Sequence, residues 1–142
     1  MKPLDFSKHP PRAPRESLDG LVMLPRTIDK FRASLPGGVA NGYRIEGMSR
    51  RLLGWLGIDE TDMQTAVASA NTDDDVAKWL RARTDASKYP EYNARMENRT
   101  VDDIEDKTYI NATYSFWPTF HSKKLFDIIE EDDRRTFAGA RD

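Results

Sequence analysis

Arg26, Asp29 and Lys30 fall at i, i+3 and i+4 in a segment whose Leu24, Ile28, Phe31 and Leu35 repeat at helical spacing. That spacing puts the two cations and the carboxylate together on the side away from the apolar stripe. A guanidinium holds a carboxylate or phosphate through two parallel hydrogen bonds, and a neighbouring Asp or Lys can then move a proton. Arg12 and Arg15 join the group if the N-terminal segment packs back on the helix. The glycine-rich stretch 37–47 brings Tyr43 and Arg44. On this reading Arg26, Arg15 and Arg44 bind an anionic substrate, Asp29 or Lys30 acts as base, and Tyr43 or His121 is the acid partner. The competing reading is a structural salt-bridge network that ties arm, helix and loop together.

Tyr109, Tyr114, Phe116, Trp117 and Phe120 form a second concentration of chemistry. They serve as the core of the C-terminal half, as the lining of an apolar substrate cavity, or as a patch that grips a protein partner. The run 116–120, Phe-Trp-Pro-Thr-Phe, fits neither a regular helix nor a strand. It therefore nominates Trp117 and Phe120 as binding residues.

Other chemistries find no support. With 0 Cys there is no thiolate, disulfide, zinc finger or iron–sulfur cluster, and the 2 histidines, His9 and His121, lie far apart in sequence. Asn71, Asp73 and Asp75 have the opening spacing of a calcium loop. Val76 stands where its glycine belongs and Ala82 where its bidentate glutamate belongs, so helix capping explains these residues better. No metal and no cofactor is expected. The Gly37-Gly38 pair lacks the spacing of either phosphate-binding loop. Ser49 is expected to cap the second helix rather than act as a nucleophile. Glu130 to Asp133 read as a solvated, charged helix end balanced by Arg134 and Arg135.

These residues must be positioned by a small helical domain. The chain has 142 residues, with 22 Lys/Arg against 24 Asp/Glu. The charge is uneven, since residues 1–51 hold ten Lys/Arg and five Asp/Glu. A sequence pI near 5.7 argues against a general nucleic-acid binder. No apolar run approaches the roughly 20 residues of a membrane span, and the N-terminus has no presequence pattern. A cytoplasmic location and no membrane partner are expected.

Pro3, Pro10, Pro11 and Pro14 make residues 1–16 an extended arm, held by Leu4 and Phe6, ahead of one helical domain over 17–142. The first helix is expected over about 25–35 and stops at Pro36-Gly37-Gly38. A short extended piece fits 43–46. A second helix runs from Met48 to Gly57, and a third follows Asp59. A fourth begins at the capping box Thr72–Asp75, with Trp79 in the core beside Trp55, Phe31 and Leu80. Further helices fit 91–98, 101–112 and about 121–133. The fold class is all-α, with at most that one very short extended segment.

Three stretches carry a resemblance. They are Pro11-Arg12-Ala13-Pro14-Arg15-Glu16 with Leu18, then Leu24-Pro25-Arg26-Thr27-Ile28-Asp29-Lys30 with Arg32. The third is Leu56-Gly57-Ile58-Asp59, leading through Ala66-Val67 and Asp75-Val76 to Trp79-Leu80. Together they resemble an uncharacterised family of small bacterial proteins known only as a domain of unknown function. The resemblance covers residues 10 to about 83 and resumes at Leu125–Glu130, while 87–119 fits poorly. It implies a compact helical domain and no established activity.

Two function classes follow. The first is a protein that binds a small anionic or polar-aromatic compound and transforms it by metal-free acid/base chemistry, of lyase, isomerase or hydrolase type. The second is a non-catalytic accessory module, a homo-oligomer or the grip of a protein partner, working through the arm and the 116–120 segment.

Overall fold

The computed structural model describes residues 1–138 and is a multi-helix fold. In chain order it has strands β1 (Ser17–Leu18) and β2 (Leu21–Val22), then helices α1 (Leu24–Ala33), α2 (Met48–Leu56), α3 (Glu60–Ser69) and α4 (Asp73–Arg81). Helices α5 (Tyr89–Asn98), α6 (Thr108–Thr113) and α7 (Leu125–Phe137) complete it, with short 3-10 turns at Ala86–Lys88, Val101–Asp103 and Trp117–Thr119. The only sheet among the described residues is the antiparallel pair β1–β2, with Ser17 opposite Val22 and Leu18 opposite Leu21.

The capping chemistry explains most helix starts. Asp59 accepts from the Thr61 amide at 2.8 Å and starts α3. Thr72 and Asp75 form a reciprocal box at the start of α4, where Asp73, Asp74 and Asp75 also suit the positive helix end. A second box, Thr100 with Asp103, starts the 3-10 turn at Val101. Gly57 ends α2 in the left-handed region at φ 70°. After α1, Gly38 lies so close to the Ala33 carbonyl that a Cβ would sit 2.3 Å from its oxygen, so only glycine lets the chain turn back here.

The arm is ordered against the domain. The Phe6 amide donates to the Val39 carbonyl and the Val39 amide to the Leu4 carbonyl, each at 2.9 Å. Phe6 is fully buried, edge-on to Tyr43 with ring centroids 5.5 Å apart. The main core collects Leu24, Ile28, Phe31, Leu52, Met63, Val76, Leu80, Met96, Phe126 and Ile128.

Four expectations are corrected. Residues 43–46 form turns and bends rather than an extended piece, and the short strands lie at 17–22, where the arm must reverse into α1. Ser49 does not cap α2. Gly47 occupies the cap, and Ser49 is buried in the first turn, accepting a hydrogen bond from the Thr27 hydroxyl at 3.0 Å. Trp79 and Trp55 are only half-buried. Val76, Ala77 and Leu80 take the inward face of α4, and Trp79 at its margin lies under Arg83, 4.5 Å from the ring centroid. Finally, the stretch expected as one helix over 101–112 is split into the 3-10 turn and α6.

Candidate functional site

Helix α1 has almost no solvated face, because Arg26, Asp29 and Ala33 are buried along with its apolar stripe. Its charged side chains are therefore claimed from two sides. The Arg26 guanidinium forms a two-armed ion pair with Asp133 of α7, Nη1 to Oδ2 at 2.6 Å and Nη2 to Oδ1 at 3.1 Å. The Tyr43 hydroxyl donates to the same carboxylate at 2.9 Å, and burial followed by that carboxylate pushes the phenol well above its ordinary pKa. Asp29 is claimed by the arm, accepting from the Arg12 amide at 2.9 Å and from Arg12 Nη2 at 2.9 Å, while Arg12 Nη1 reaches Asp73 at 2.8 Å. Asp29, nominated as a base, has its oxygens on Arg12 and borders neither cavity described below, so here it ties the arm to the helix. Asp133 is buried as well, against the expectation of a solvated helix end. Glu131 alone is matched by Arg134 and Arg135.

Lys30, one turn along α1 from Arg26, is treated differently. Among the described residues no carboxylate pairs with it and no acceptor takes its hydrogen bonds. Burial, with the Arg26 guanidinium second, pushes its ammonium down to about 7. Lys30 borders two cavities at once, as do Arg26, Tyr109 and Tyr114.

The larger cavity, about 330 Å³, lies between α1, α2, the 99–110 stretch and α7. Its floor is apolar, built from Met23, Met48, Ile110, Leu125 and Ile129. Arg50, Arg51 and Arg99 stand on its wall together with Glu46 and Asp106. Arg50 is spoken for by Glu60 at 2.6 Å. Arg51 and Arg99 have no carboxylate partner among the described residues, and burial together with Arg51 lowers the pKa of the Arg99 guanidinium. Nearby Asp103, whose carboxylate accepts the Thr100 amide at 2.8 Å, offsets this only partly. The smaller cavity, about 130 Å³, lies beyond Lys30 against Tyr43, Arg44 and α7. Asp132 borders it, its carboxyl pushed up to about 6 by burial and the adjacent Asp133.

Of the nine residues nominated from sequence, Arg26, Lys30, Tyr43 and Arg44 border these cavities. Arg15 instead pairs with Asp127, and with Glu130 at 2.7 Å, tying the arm to α7. His121 is exposed, its ring 4.2 Å from that of Phe120. Trp117 and Phe120 are half-buried against the core, the Trp117 indole donating to Asn111 at 2.8 Å. None of Arg15, His121, Trp117 or Phe120 reaches the cavities, because the 3-10 turn at Trp117–Thr119 turns the aromatic run back onto its own neighbours. Val39 and Tyr109 are the large hydrophobic residues exposed among the described residues, and they make no broad apolar patch. Among the described residues no three His, Asp or Glu side chains converge as metal ligands, and no helix is long and apolar enough to cross a membrane. Sequence reasoning missed Arg51, Arg99 and Asp132. The Arg50-Arg51 pair was a visible signal, whereas nothing in the sequence around Arg99 marks it.

Lys30→Met removes a poorly solvated amine and should raise stability by about 1–3 kcal/mol at pH 6. The native state releases this proton near 7 and the unfolded chain near 10.5, so wild-type stability climbs between those values and the advantage of the variant shrinks there. Urea melts at pH 6 and pH 9.5 read this directly.

The chain belongs to a domain family of unknown function. The model of the domain of unknown function DUF5069 matches residues 8–135, which includes the stretch 87–119 that the motif comparison left outside. No curated protein gives a significant match.

Proposed function

We propose a cytoplasmic protein that binds a small organic anion with an apolar or aromatic body in the larger cavity, and that acts on it by metal-free acid/base chemistry at Lys30. The observation that carries this reading is that Arg51 and Arg99, without a carboxylate partner among the described residues, stand on the wall of a cavity with an apolar floor. Protein carboxylates pair with Arg12, Arg15, Arg26, Arg50 and Arg81. Arg51 and Arg99 on this wall have no carboxylate within ion-pair distance among the described residues, although Glu46 and Asp106 border the same cavity. Arg99 is half-buried beside the exposed Arg51, whose charge disfavours its own, and a bound anion relieves that repulsion. The apolar floor supplies the rest of the affinity and sets the ligand's form, an anionic head on a body of modest size.

The test is a thermal-shift series with octanoate, 3-phenylpropionate and their neutral amides. The carboxylates should raise the melting temperature by several degrees at millimolar concentration and the amides should not. Equal shifts for acid and amide would remove the role given to the arginines.

A further inference from the structure

Lys30 is the amine that lies between two cavities without a carboxylate or carbonyl to hold it. The groups around it are Arg26 on its own helix, Asp132 and Asp133 on α7, Tyr109 and Tyr114 from the α6 side, and Tyr43 with Arg44 on the loop. The nearest carboxylate it feels, Asp133, already holds Arg26 and Tyr43. A partly buried lysine beside a second cation is the environment in which an amine becomes a nucleophile at neutral pH. Structural lysines are placed otherwise. Lys107 donates to the Ile104 carbonyl at 2.8 Å, and Lys123 lies 3.7 Å from Asp102.

We propose that Lys30 forms an imine with the carbonyl group of a small oxo acid whose carboxylate is held by Arg51 and Arg99. The proposal rests on the anion-binding reading and adds to it the substrate class and the covalent step. The neutral Lys30 nitrogen attacks the carbonyl carbon, forming the C–N bond and sending the C=O π pair to oxygen, which takes a proton. The nitrogen gives up one proton to complete the carbinolamine, whose hydroxyl gains another and leaves as water, and the nitrogen then releases its second proton. The net change is amine plus carbonyl to imine plus one water, with no oxidant, reductant or metal. Tyr114 lines both cavities with Lys30 and Asp132 lines the smaller one, and we assign the proton transfers to these two groups. Burial keeps the Tyr114 phenol protonated, and Asp132 titrates at about 6, so each can donate near neutrality. Once protonated, the imine draws electrons from the adjacent carbon. The reaction class that follows is proton exchange or bond cleavage at that carbon, a metal-free lyase or isomerase chemistry.

The experiment is reductive trapping of the full chain with 2-oxooctanoate and sodium cyanoborohydride, read by intact mass and peptide mapping. One adduct per chain should form on Lys30, about tenfold or more faster than at any surface lysine, because near pH 7 about half of Lys30 is neutral against a small fraction of an ordinary lysine. Its rate should rise through pH 7 rather than near 10.5, and Lys30→Arg should abolish it. The pH profile of the wild type stands even if that variant folds poorly. Labelling spread over the surface lysines, or an adduct that survives Lys30→Arg, would overturn the proposal. So would octanoate binding without any trapping, which leaves the anion site intact and removes the imine alone. If octanoate itself fails to bind, the anion-site reading falls and the proposal falls with it.

Discussion

Asp133→Ala is expected to cost about 3–5 kcal/mol, enough to unfold much of the protein at moderate urea. The reason is what it leaves behind. Arg26 is only 2% exposed, its Nε has no hydrogen-bond partner among the described residues, and its Nη atoms have, besides this carboxylate, only the Arg12 carbonyl 3.3 Å from Nη1. Removing the partner strands a cation that cannot reach water and orphans the Tyr43 hydroxyl at the same time. The penalty belongs to the uncompensated charge rather than to the bond. Replacing both partners with apolar groups of similar bulk, Arg26→Met with Asp133→Leu, should therefore restore most of the loss. Urea midpoints of the single and double variants measure this. A double variant as unstable as the single one would show that the pair contributes through packing instead. The outcome also bears on function, since a guanidinium committed to Asp133 is not available to orient a substrate.

Phe6→Ala is the second large effect, about 3–5 kcal/mol. The ring is fully buried although it belongs to an arm rich in proline, and it stands edge-on to Tyr43. Truncation opens a cavity between the arm and the 41–44 loop. It also loosens the backbone bonds that join Leu4 and Phe6 to Val39 and the Asn41 side-chain bond to the Phe6 carbonyl at 2.9 Å. The expected signature is a drop in the urea midpoint together with faster amide exchange at Val39. A midpoint within 1 kcal/mol of wild type would mean that the arm is held by its Arg12 and Arg15 ion pairs rather than by burial.

The helices were legible in the sequence because each carries its own local signal. Capping residues at Asp59, Thr72 and Thr100, a stripe at Leu24, Ile28 and Phe31, and Gly57 at a helix end all report on neighbours a few residues away. What could not be chosen from sequence was decided at long range. Arg26 and Asp29 fit either a ligand site or a salt-bridge network tying arm, helix and loop, because helical periodicity separates polar from apolar residues and cannot tell what covers the polar side. Here the arm and α7 cover it and supply Arg12 and Asp133 as partners. The acidic run at 130–133 misled for the same reason, since three of its members meet cations or remain half-exposed and Asp133 alone turns inward. Trp79 was placed one position too deep by a stripe drawn through its whole helix face. The cavity was out of reach altogether. Arg51 and Arg99 lie on α2 and just past α5, and only the packing of α5 against α2 brings them to one wall. Lys30 was found for its spacing. Its chemistry comes from being the one charged group on α1 that neither cover supplies with a partner.

The central claim, that Arg51 and Arg99 make the larger cavity an anion site, is tested most directly by isothermal titration of octanoate into the wild type and into Arg51→Gln/Arg99→Gln. The account predicts one site in the wild type, weakened by added salt because the head group is held by charge. It predicts no detectable binding to the double variant, whose urea midpoint stays at or above that of the wild type because two uncompensated charges are gone. Octanoate binding of equal affinity in both proteins would contradict it.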